Sequence, residues 1–139
     1  MTALDQYVTI QDCLQGRRCI ITGSGGTIGR TFAEVIASCG GVPILVDVAP
    51  QPDTEAAVSA HGASYSAHQV DISDVGAIEA FYQDVDKEHG GVDMLINNAG
   101  LLSEVTLLDM TEDDWDRVLD VNAKGAVFMS QGAVRLMKD

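Results

Sequence analysis

The feature that most constrains the fold of this sequence is a glycine-rich segment at residues 23–29, Gly-Ser-Gly-Gly-Thr-Ile-Gly. The residues before it, Arg18–Thr22, form a short apolar run, and the residues after it, through Ser38, carry apolar side chains at helical spacing. This pattern predicts a strand, a tight turn and a helix. A turn of this kind can bind a diphosphate, because its backbone can approach the ligand and the helix start presents free N–H groups.

The alternation of strand and helix continues along the chain. Strands are predicted at residues 18–22, 42–48, 64–70 and 92–96. Helices are predicted at residues 30–38, 55–62, 76–89 and 112–138. Ser73 or Asp74 is the expected N-cap of the third helix, and Thr111 that of the last. Strands that alternate with helices predict a parallel, doubly wound α/β sheet, here one domain over residues 18–139 after an arm at residues 1–17.

Composition narrows the classes of partner. The net charge of −13 opposes binding to nucleic acid or to an anionic membrane, both of which require a basic surface. The sequence shows no secretory leader pattern and no apolar run of membrane-spanning length, so a soluble, cytoplasmic protein is expected. Three cysteines without a Cys-x-x-Cys pair and three scattered histidines predict reduced thiols and no metal site.

A carboxylate at the end of the second predicted strand is the second candidate ligand group. Asp47 lies 24 positions after Gly23, close to the spacing of roughly 20 at which an acidic residue binds the ribose hydroxyls of a dinucleotide. A carboxylate there repels a 2′-phosphate, and no Arg or Lys occurs in residues 48–54. The sequence therefore favours NAD over NADP, with Arg30 the one nearby cation that could reach a phosphate.

Several motifs occur together in an order that resembles the short-chain dehydrogenase/reductase family over residues 14–139. They are Thr22-Gly23-x-x-x-x-x-Gly29, Asp47, Asp71, Asn97-Asn98-Ala99-Gly100 and Asn122. The resemblance implies a Rossmann-type sheet, truncated to about four strands in the order 3-2-1-4, and hydride transfer between a nicotinamide and an alcohol or carbonyl. It also implies a binding role for a set of residues around the cofactor: Gly23, Ser24, Gly26, Thr27, Ile28, Gly29, Asp47, Asp71, Ile72, Asn98, Ala99 and Gly100.

Within that implied site, Gly23 and Gly29 border the pyrophosphate, Asp47 holds the adenosine ribose, and Asp71 with Ile72 contacts the adenine. Residues 97–100 brace the sheet beside the cofactor. Asn122 corresponds to the family's helix asparagine in the proton relay. It could alternatively bond its own helix backbone and kink the helix.

The sequence departs from the family pattern at two points. Thr27 stands where the single-domain branch usually has its middle glycine, and Gly26 instead fits the glycine spacing of a larger branch. The family's catalytic serine and its Tyr-x-x-x-Lys pair follow the last predicted helix, and no tyrosine here has a lysine four residues on. The 139-residue chain is therefore expected not to reduce a carbonyl by itself.

Two functions remain open from the sequence, beside a third possibility that the chain binds no ligand and that Thr27 marks the decay of the site. One is an NAD-dependent oxidoreductase, whose small alcohol or carbonyl substrate would bind only to a completed site. The other is a non-catalytic dinucleotide-binding or assembly module derived from the same family. In the family the fourth strand is covered by a fifth and the fourth helix is buried between subunits, so a homo-oligomer is expected.

Overall fold

The structure is a computed structural model that describes residues 13–137. Its four strands are parallel and follow the sequence positions expected for them: β1 Arg18–Thr22, β2 Val42–Asp47, β3 Ser66–Gln69 and β4 Met94–Ile96. They form one sheet in the order β3-β2-β1-β4, which confirms the predicted fold class and strand order. Most of the predicted arm at residues 1–17 lies outside the described residues. Its last part is a turn in which Leu14 donates to the carbonyl of Cys39.

Helices cover both faces of the sheet, as α1 Thr27–Ser38, α2 Pro52–Ser59, α3 Val75–His89, α4 Glu112–Leu119 and α5 Ala126–Leu136. Successive residues of a strand point to opposite faces, so β1 contributes to two cores. Ile20 packs on the side of α3 and α5, in a cluster that includes Phe81 and Met129. Cys19 and Ile21 pack on the other side against α1 and α2.

Several predicted boundaries were wrong by a few residues. Helix α1 starts at Thr27 rather than residue 30, because the helical backbone begins directly after Gly26. Helix α2 runs over Pro52–Ser59 rather than residues 55–62, since a proline with its fixed φ is well suited to a first turn. Strands β3 and β4 are shorter than predicted, because ladder pairing extends only where the neighbouring strand is in register.

The predicted helix over residues 112–138 is interrupted in its middle. Helix α4 ends at Leu119, a π-helical turn occupies Asp120–Gly125, and α5 follows. At the end of this turn Gly125 packs closely on Ile72, since a Cβ at Gly125 would lie 2.7 Å from the carbonyl oxygen of Ile72. The predicted caps were confirmed: Asp74 accepts from two backbone N–H groups of α3, and Thr111 forms a capping box with Asp114.

The three cysteines form no disulfide; Cys13 is exposed, and Cys19 and Cys39 are buried. Burial raises the pKa of the Cys19 thiol to about 11, so it is protonated at neutral pH. Over residues 13–137, no helix has both the length and the apolar character needed to cross a bilayer.

Candidate functional site

An open cavity of about 1010 Å³ lies at the carboxyl ends of the strands. In open parallel sheets this is the edge at which ligands bind. The turn after β1, the ends of β2 and β3, the segment after β4 and one side of α4 form its walls. Most of the residues that the family resemblance implicates lie on those walls: Gly23, Gly26, Thr27, Ile28, Gly29, Asp47, Asp71, Ile72, Asn98, Ala99 and Gly100.

The glycine turn between β1 and α1 is packed too closely for side chains at two positions. Gly23 has a φ of +65°, and a Cβ there would lie 2.8 Å from the Cα of Ala99. A Cβ at Gly29 would lie 2.1 Å from the carbonyl oxygen of Gly23. Gly26 is different, because its nearest neighbour would be 3.5 Å away and the remaining space is the cavity itself. The turn therefore presents bare backbone to a ligand.

The start of α1 offers hydrogen-bond donors to the cavity. The N-cap is Gly26, which has no side chain to accept from the first turn. The first bond of the helical ladder is donated by Arg30 to Gly26 at 2.8 Å, so the N–H groups of Thr27, Ile28 and Gly29 precede that ladder. No acidic residue occupies the first turn. This arrangement favours an anion through both its donors and the helix dipole.

Asp47 ends β2 and lies against the glycine turn. Its carboxylate accepts from the N–H of Gly25 at 2.9 Å and from the N–H of Ala49 at 3.1 Å. These bonds fix the carboxylate at the cavity wall beside the turn. A carboxylate with two oxygens still has acceptor capacity beyond these two bonds, so it can receive further hydroxyl donors from a ligand.

The segment after β4 is tied to the end of β1. The Thr22 hydroxyl accepts from the backbone N–H groups of Asn98 and Ala99, each at 3.0 Å. The Asn98 side-chain amide donates to the carbonyls of Thr22 and Gly23, at 3.0 and 3.1 Å. Asn97 points elsewhere and donates to the hydroxyl of Ser130 on α5. The Asn-Asn-Ala-Gly motif thus holds the start of the glycine turn in place through hydrogen bonds to Thr22 and Gly23.

Asp71 and Ile72 follow β3 and form the third side of the cavity. The carboxylate of Asp71 accepts from the N–H and the hydroxyl of Ser73, which fixes the turn into α3. The Ile72 side chain is buried and packs against Gly125 in the π-helical turn.

Asn122 lies in the π-helical turn and does not itself line the cavity. It accepts from the N–H of Leu101 at 2.7 Å and donates to the carbonyl of Leu101 at 2.8 Å. Both ends of its amide therefore bond a neighbouring loop rather than its own helix, which corrects the alternative reading of Asn122 as a residue that kinks its helix. Leu101 is on the cavity wall, so Asn122 fixes one side of the site.

Ser24 is the predicted binding residue whose side chain the structure turns away from the cavity. It is fully buried, and its hydroxyl bonds the carbonyl of Val46 and the side chain of Gln51. Its own carbonyl accepts from the Thr54 hydroxyl at 2.9 Å. The Ser24 side chain thus joins the glycine turn to the start of α2. Position in a motif alone did not distinguish this role from a ligand contact.

The sequence analysis missed the contribution of α4 to the cavity. Five of the residues that line the cavity belong to α4 and to the turn that follows it: Asp113, Asp116, Arg117, Asp120 and Val121. The signal was present, since a helix that follows β4 starts at the same sheet edge as the other loops. The wall is acidic, with five aspartates against Arg117 as the one basic side chain among the described lining residues.

The tyrosines among residues 13–137 lie outside this cavity. Tyr82 is buried and donates to the carbonyl of Met129, and burial raises the pKa of its phenol well above the usual value. Tyr65 donates to Glu55. Neither group lines the cavity, so neither can exchange a proton with a ligand there. Tyr7 lies outside the described residues.

The histidines are less scattered than the sequence suggests. His68 and His89 are 21 positions apart, yet both contact the Ser66 hydroxyl, at 3.0 and 2.8 Å. The crossover through α3 returns the chain to the strand it left, which sequence spacing alone does not reveal. His61 is exposed and apart from them.

The chain is similar to proteins of a known family. The family model described as short chain dehydrogenase matches residues 17–139. Galactitol 2-dehydrogenase from Agrobacterium fabrum is 34% identical over 89% of this chain and 48% of its own length. The chain thus spans about half the length of the curated relatives it matches.

Solved structures show the same fold. An NAD+-bound xylitol dehydrogenase superposes with a TM-score of 0.83 at 29% identity, covering 90% of this chain and 49% of the other. A metagenomic short-chain oxidoreductase in complex with NADP superposes with a TM-score of 0.84 at 29% identity, covering 89% and 57%. Both nicotinamide cofactors therefore occur among the structural neighbours.

Proposed function

The chain belongs to the short chain dehydrogenase family, and on that premise we propose that it is the cofactor-binding part of an NAD-dependent oxidoreductase that interconverts an alcohol and a carbonyl. One observation carries the proposal. A glycine turn without room for side chains at Gly23 and Gly29 meets an uncapped helix start and a fixed carboxylate within one cavity. Nicotinamide dinucleotides are the cofactors that this family uses.

The donor set of the cavity fits a dinucleotide. The N–H groups of Thr27, Ile28 and Gly29 would bind the pyrophosphate, whose charge suits the positive end of α1. Asp47 would accept from the adenosine ribose hydroxyls, and Asp71 with Ile72 would enclose the adenine. When bound, the nicotinamide ring supplies or accepts the hydride. The described residues bind and orient the cofactor, and they keep the glycine turn in shape.

Local charge supports NAD as the cofactor. A 2′-phosphate on the adenosine ribose would lie close to the Asp47 carboxylate and would be repelled by it. Arg30, the cation nearest in sequence, is paired with Glu34 at 2.8 Å. The remaining wall carries four further aspartates. Arg117, the one basic side chain among the described lining residues, is on α4 rather than at the end of β2 that carries Asp47.

Asn122 is proposed as a positioning residue for the family's proton relay. Its amide bonds both backbone groups of Leu101, so the loop after β4 and the π-helical turn move as one unit. A relay that passes this turn would depend on that fixed geometry. One N–H of the Asn122 amide donates to the Leu101 carbonyl, and Asn122 itself does not line the cavity, which favours an indirect role.

The second candidate function is a dinucleotide-binding module without chemistry, since the cavity presents a cofactor-binding donor set and neither described tyrosine, Tyr65 or Tyr82, lines it. Within the 139 residues, the positions four after Tyr7, Tyr65 and Tyr82 are Gln11, Gln69 and Asp86. The two candidates share the same cofactor site and differ only in turnover.

We also propose that the chain self-associates through α4 and α5. Four apolar side chains on these helices are 40–68% exposed: Trp115, Leu119, Val127 and Val134. They recur after 4, 8 and 7 residues. The π-helical turn adds one residue to the middle interval, which keeps Val127 in line with Leu119 on one face.

The first test is NAD binding by calorimetry with Asp47→Asn. The substitution removes a charged acceptor, so we expect NAD affinity to fall about 10-fold or more. Asp86→Asn, on the exposed side of α3, is the matched control and should bind NAD like the unchanged protein. NADP affinity should be lower than NAD affinity and should rise in Asp47→Asn.

Turnover separates the two candidates. The protein is incubated with NADH or NAD+ and a panel of alcohols and carbonyls. The panel includes sugar alcohols, because similar proteins include a galactitol 2-dehydrogenase and a xylitol dehydrogenase. Turnover that Asp47→Asn reduces supports the oxidoreductase. Binding without turnover by the 139 residues is compatible with both candidates, and absence of NAD binding would contradict both.

A further inference from the structure

A cluster of histidines and a glutamate lies at the end of the sheet opposite the cavity. His68 is on β3, and Glu88 and His89 are the last residues of α3. Because α3 runs back from the carboxyl edge of the sheet, its C-terminal end lies near the amino ends of the strands. We call His68, Glu88, His89 and Ser66 the histidine cluster.

The atoms of the cluster converge on one point. The Nε2 atoms of His68 and His89 both contact the Ser66 hydroxyl, at 3.0 and 2.8 Å. The Glu88 carboxylate approaches the same two nitrogens, each at 3.8 Å. The potential ligand atoms of the two histidines and the glutamate all lie within 4.8 Å of one another.

This convergence distinguishes the cluster from a catalytic relay. In a Ser-His-acid triad the serine and the carboxylate bond opposite nitrogens of one imidazole. Here serine and carboxylate both face Nε2, so no relay through the ring is possible. Two imidazoles and a carboxylate that share a focus form instead a donor set typical of zinc sites with three protein ligands.

We propose that His68, His89 and Glu88 form a binding site for a divalent transition-metal ion, with Zn²⁺ as the preferred ion. Ligands of one tetrahedral ion at about 2.0–2.1 Å are about 3.4 Å apart. The cluster must therefore contract from 3.8 Å between carboxylate and imidazole, and from at most 4.8 Å between any two ligand atoms. Bonds to the ion would replace the hydrogen bonds between Ser66 and the two Nε2 atoms, and the Ser66 hydroxyl or a water takes the fourth position.

The surroundings favour a cation at this point. The cluster lies at the C-terminal end of α3, where the helix dipole is negative. Among residues 13–137 the ion pairs of Glu88 are with the two histidines alone, while the adjacent Lys87 pairs with Asp84. Glu88 is 51% exposed and leaves a path for entry.

The test uses the untagged chain, freed of metal by a chelator and titrated with ZnCl2 by calorimetry and by thermal unfolding. We expect one Zn²⁺ per chain and a rise in Tm, because an ion that binds only the folded state stabilises it. Glu88→Gln keeps the shape of an exposed side chain and should weaken Zn²⁺ binding about 10-fold or more. His61→Ala, at the exposed third histidine, is the matched control and should bind like the unchanged protein.

Cobalt substitution identifies the ligands. Co²⁺ bound by nitrogen and oxygen gives d–d bands without the thiolate charge-transfer band that Cys13 ligation would produce. A spectrum with a thiolate band, Zn²⁺ affinity unchanged in both Glu88→Gln and His68→Gln, or no Zn²⁺ binding at micromolar concentration would each overturn the proposal. The experiment needs no dinucleotide, so its outcome is separate from that of the proposed function.

Discussion

At the scale of single residues, we predict different effects on stability for alanine substitutions at two glycines of the same turn. Gly29→Ala places a methyl group 2.1 Å from a backbone oxygen, so the turn must shift, and we expect a loss of about 1–3 kcal/mol in the free energy of unfolding. Gly26→Ala meets its nearest atom at 3.5 Å and should leave that free energy almost unchanged. Urea unfolding measures both.

The same pair should differ in a second way. The methyl group of Gly26→Ala projects into the cavity, so this variant is expected to lose NAD affinity without losing stability. Calorimetry on the folded Gly26→Ala protein checks this. Unchanged NAD affinity in Gly26→Ala would contradict the placement of the pyrophosphate over the start of α1.

The positions of some single residues in the cavity could be predicted from the sequence, and others could not. Asp47 and Gly23 could be placed from spacing, because a strand-turn-helix unit has few geometries. Ser24 could not, since the sequence does not reveal that its hydroxyl meets Gln51. His68 and His89 could not be paired either, because their contact depends on the length and direction of the whole α3 crossover.

At the scale of elements, Asp93 joins the starts of β1 and β4. Its carboxylate accepts from the backbone and the guanidinium of Arg18, at 2.9 and 2.7 Å, and from Arg17 at 3.2 Å. The hydrogen bond from the Arg18 side chain is the main reason why the pKa of Asp93 is held well below its ordinary value. The pair therefore stabilises the junction only while Asp93 is ionised.

We predict the following pH dependence. Because the folded-state pKa is depressed, the contribution of Asp93 is present above its unfolded pKa of about 3.9 and is lost progressively as the pH falls below that value. Asp93→Asn should be less stable than the unchanged protein by about 1–3 kcal/mol at pH 7, and the gap should narrow in acid. Urea unfolding at several pH values measures it, with Asp86→Asn as the control. A gap independent of pH would contradict the ionic role.

The elements themselves were predicted well where a local signal was strong. The N-caps Thr111 and Asp74 indicated where two helices start, because a short polar side chain just before an apolar run is favourable as an N-cap. The π-helical turn had no such signal. It ends where Gly125 packs on Ile72, a contact between residues more than fifty positions apart that a local pattern does not encode.

For the whole molecule, the exposed face of α4 and α5 predicts a homo-oligomer. Val127→Glu with Val134→Glu places two charges on that face, and we expect a dissociated monomer in sedimentation equilibrium, since buried unpaired charges are unfavourable. Gln83→Glu, on the exposed side of α3, adds a charge away from that face and should leave the assembly unchanged. A monomer of the unchanged protein at micromolar concentration would contradict self-association.

The overall architecture was the most predictable level. Apolar runs that alternate with helical periodicity allow few topologies, because crossovers between parallel strands are right-handed and short. The strand order followed from the family resemblance and was confirmed. Residues 1–12 and 138–139 fall outside the described part, so the predicted arm and the last residues of the final helix stay predictions.

The bonds between Thr22 and Asn98 have a consequence for synthesis on the ribosome. The two residues are 76 positions apart, so the glycine turn acquires its support only after β2, β3 and α3 have emerged. A nascent chain shorter than about 100 residues would contain the phosphate-binding motif without the segment that holds it in shape. Dinucleotide capture would then be a late event in folding, and arrested chains released before and after residue 99 would differ in their ability to bind NAD.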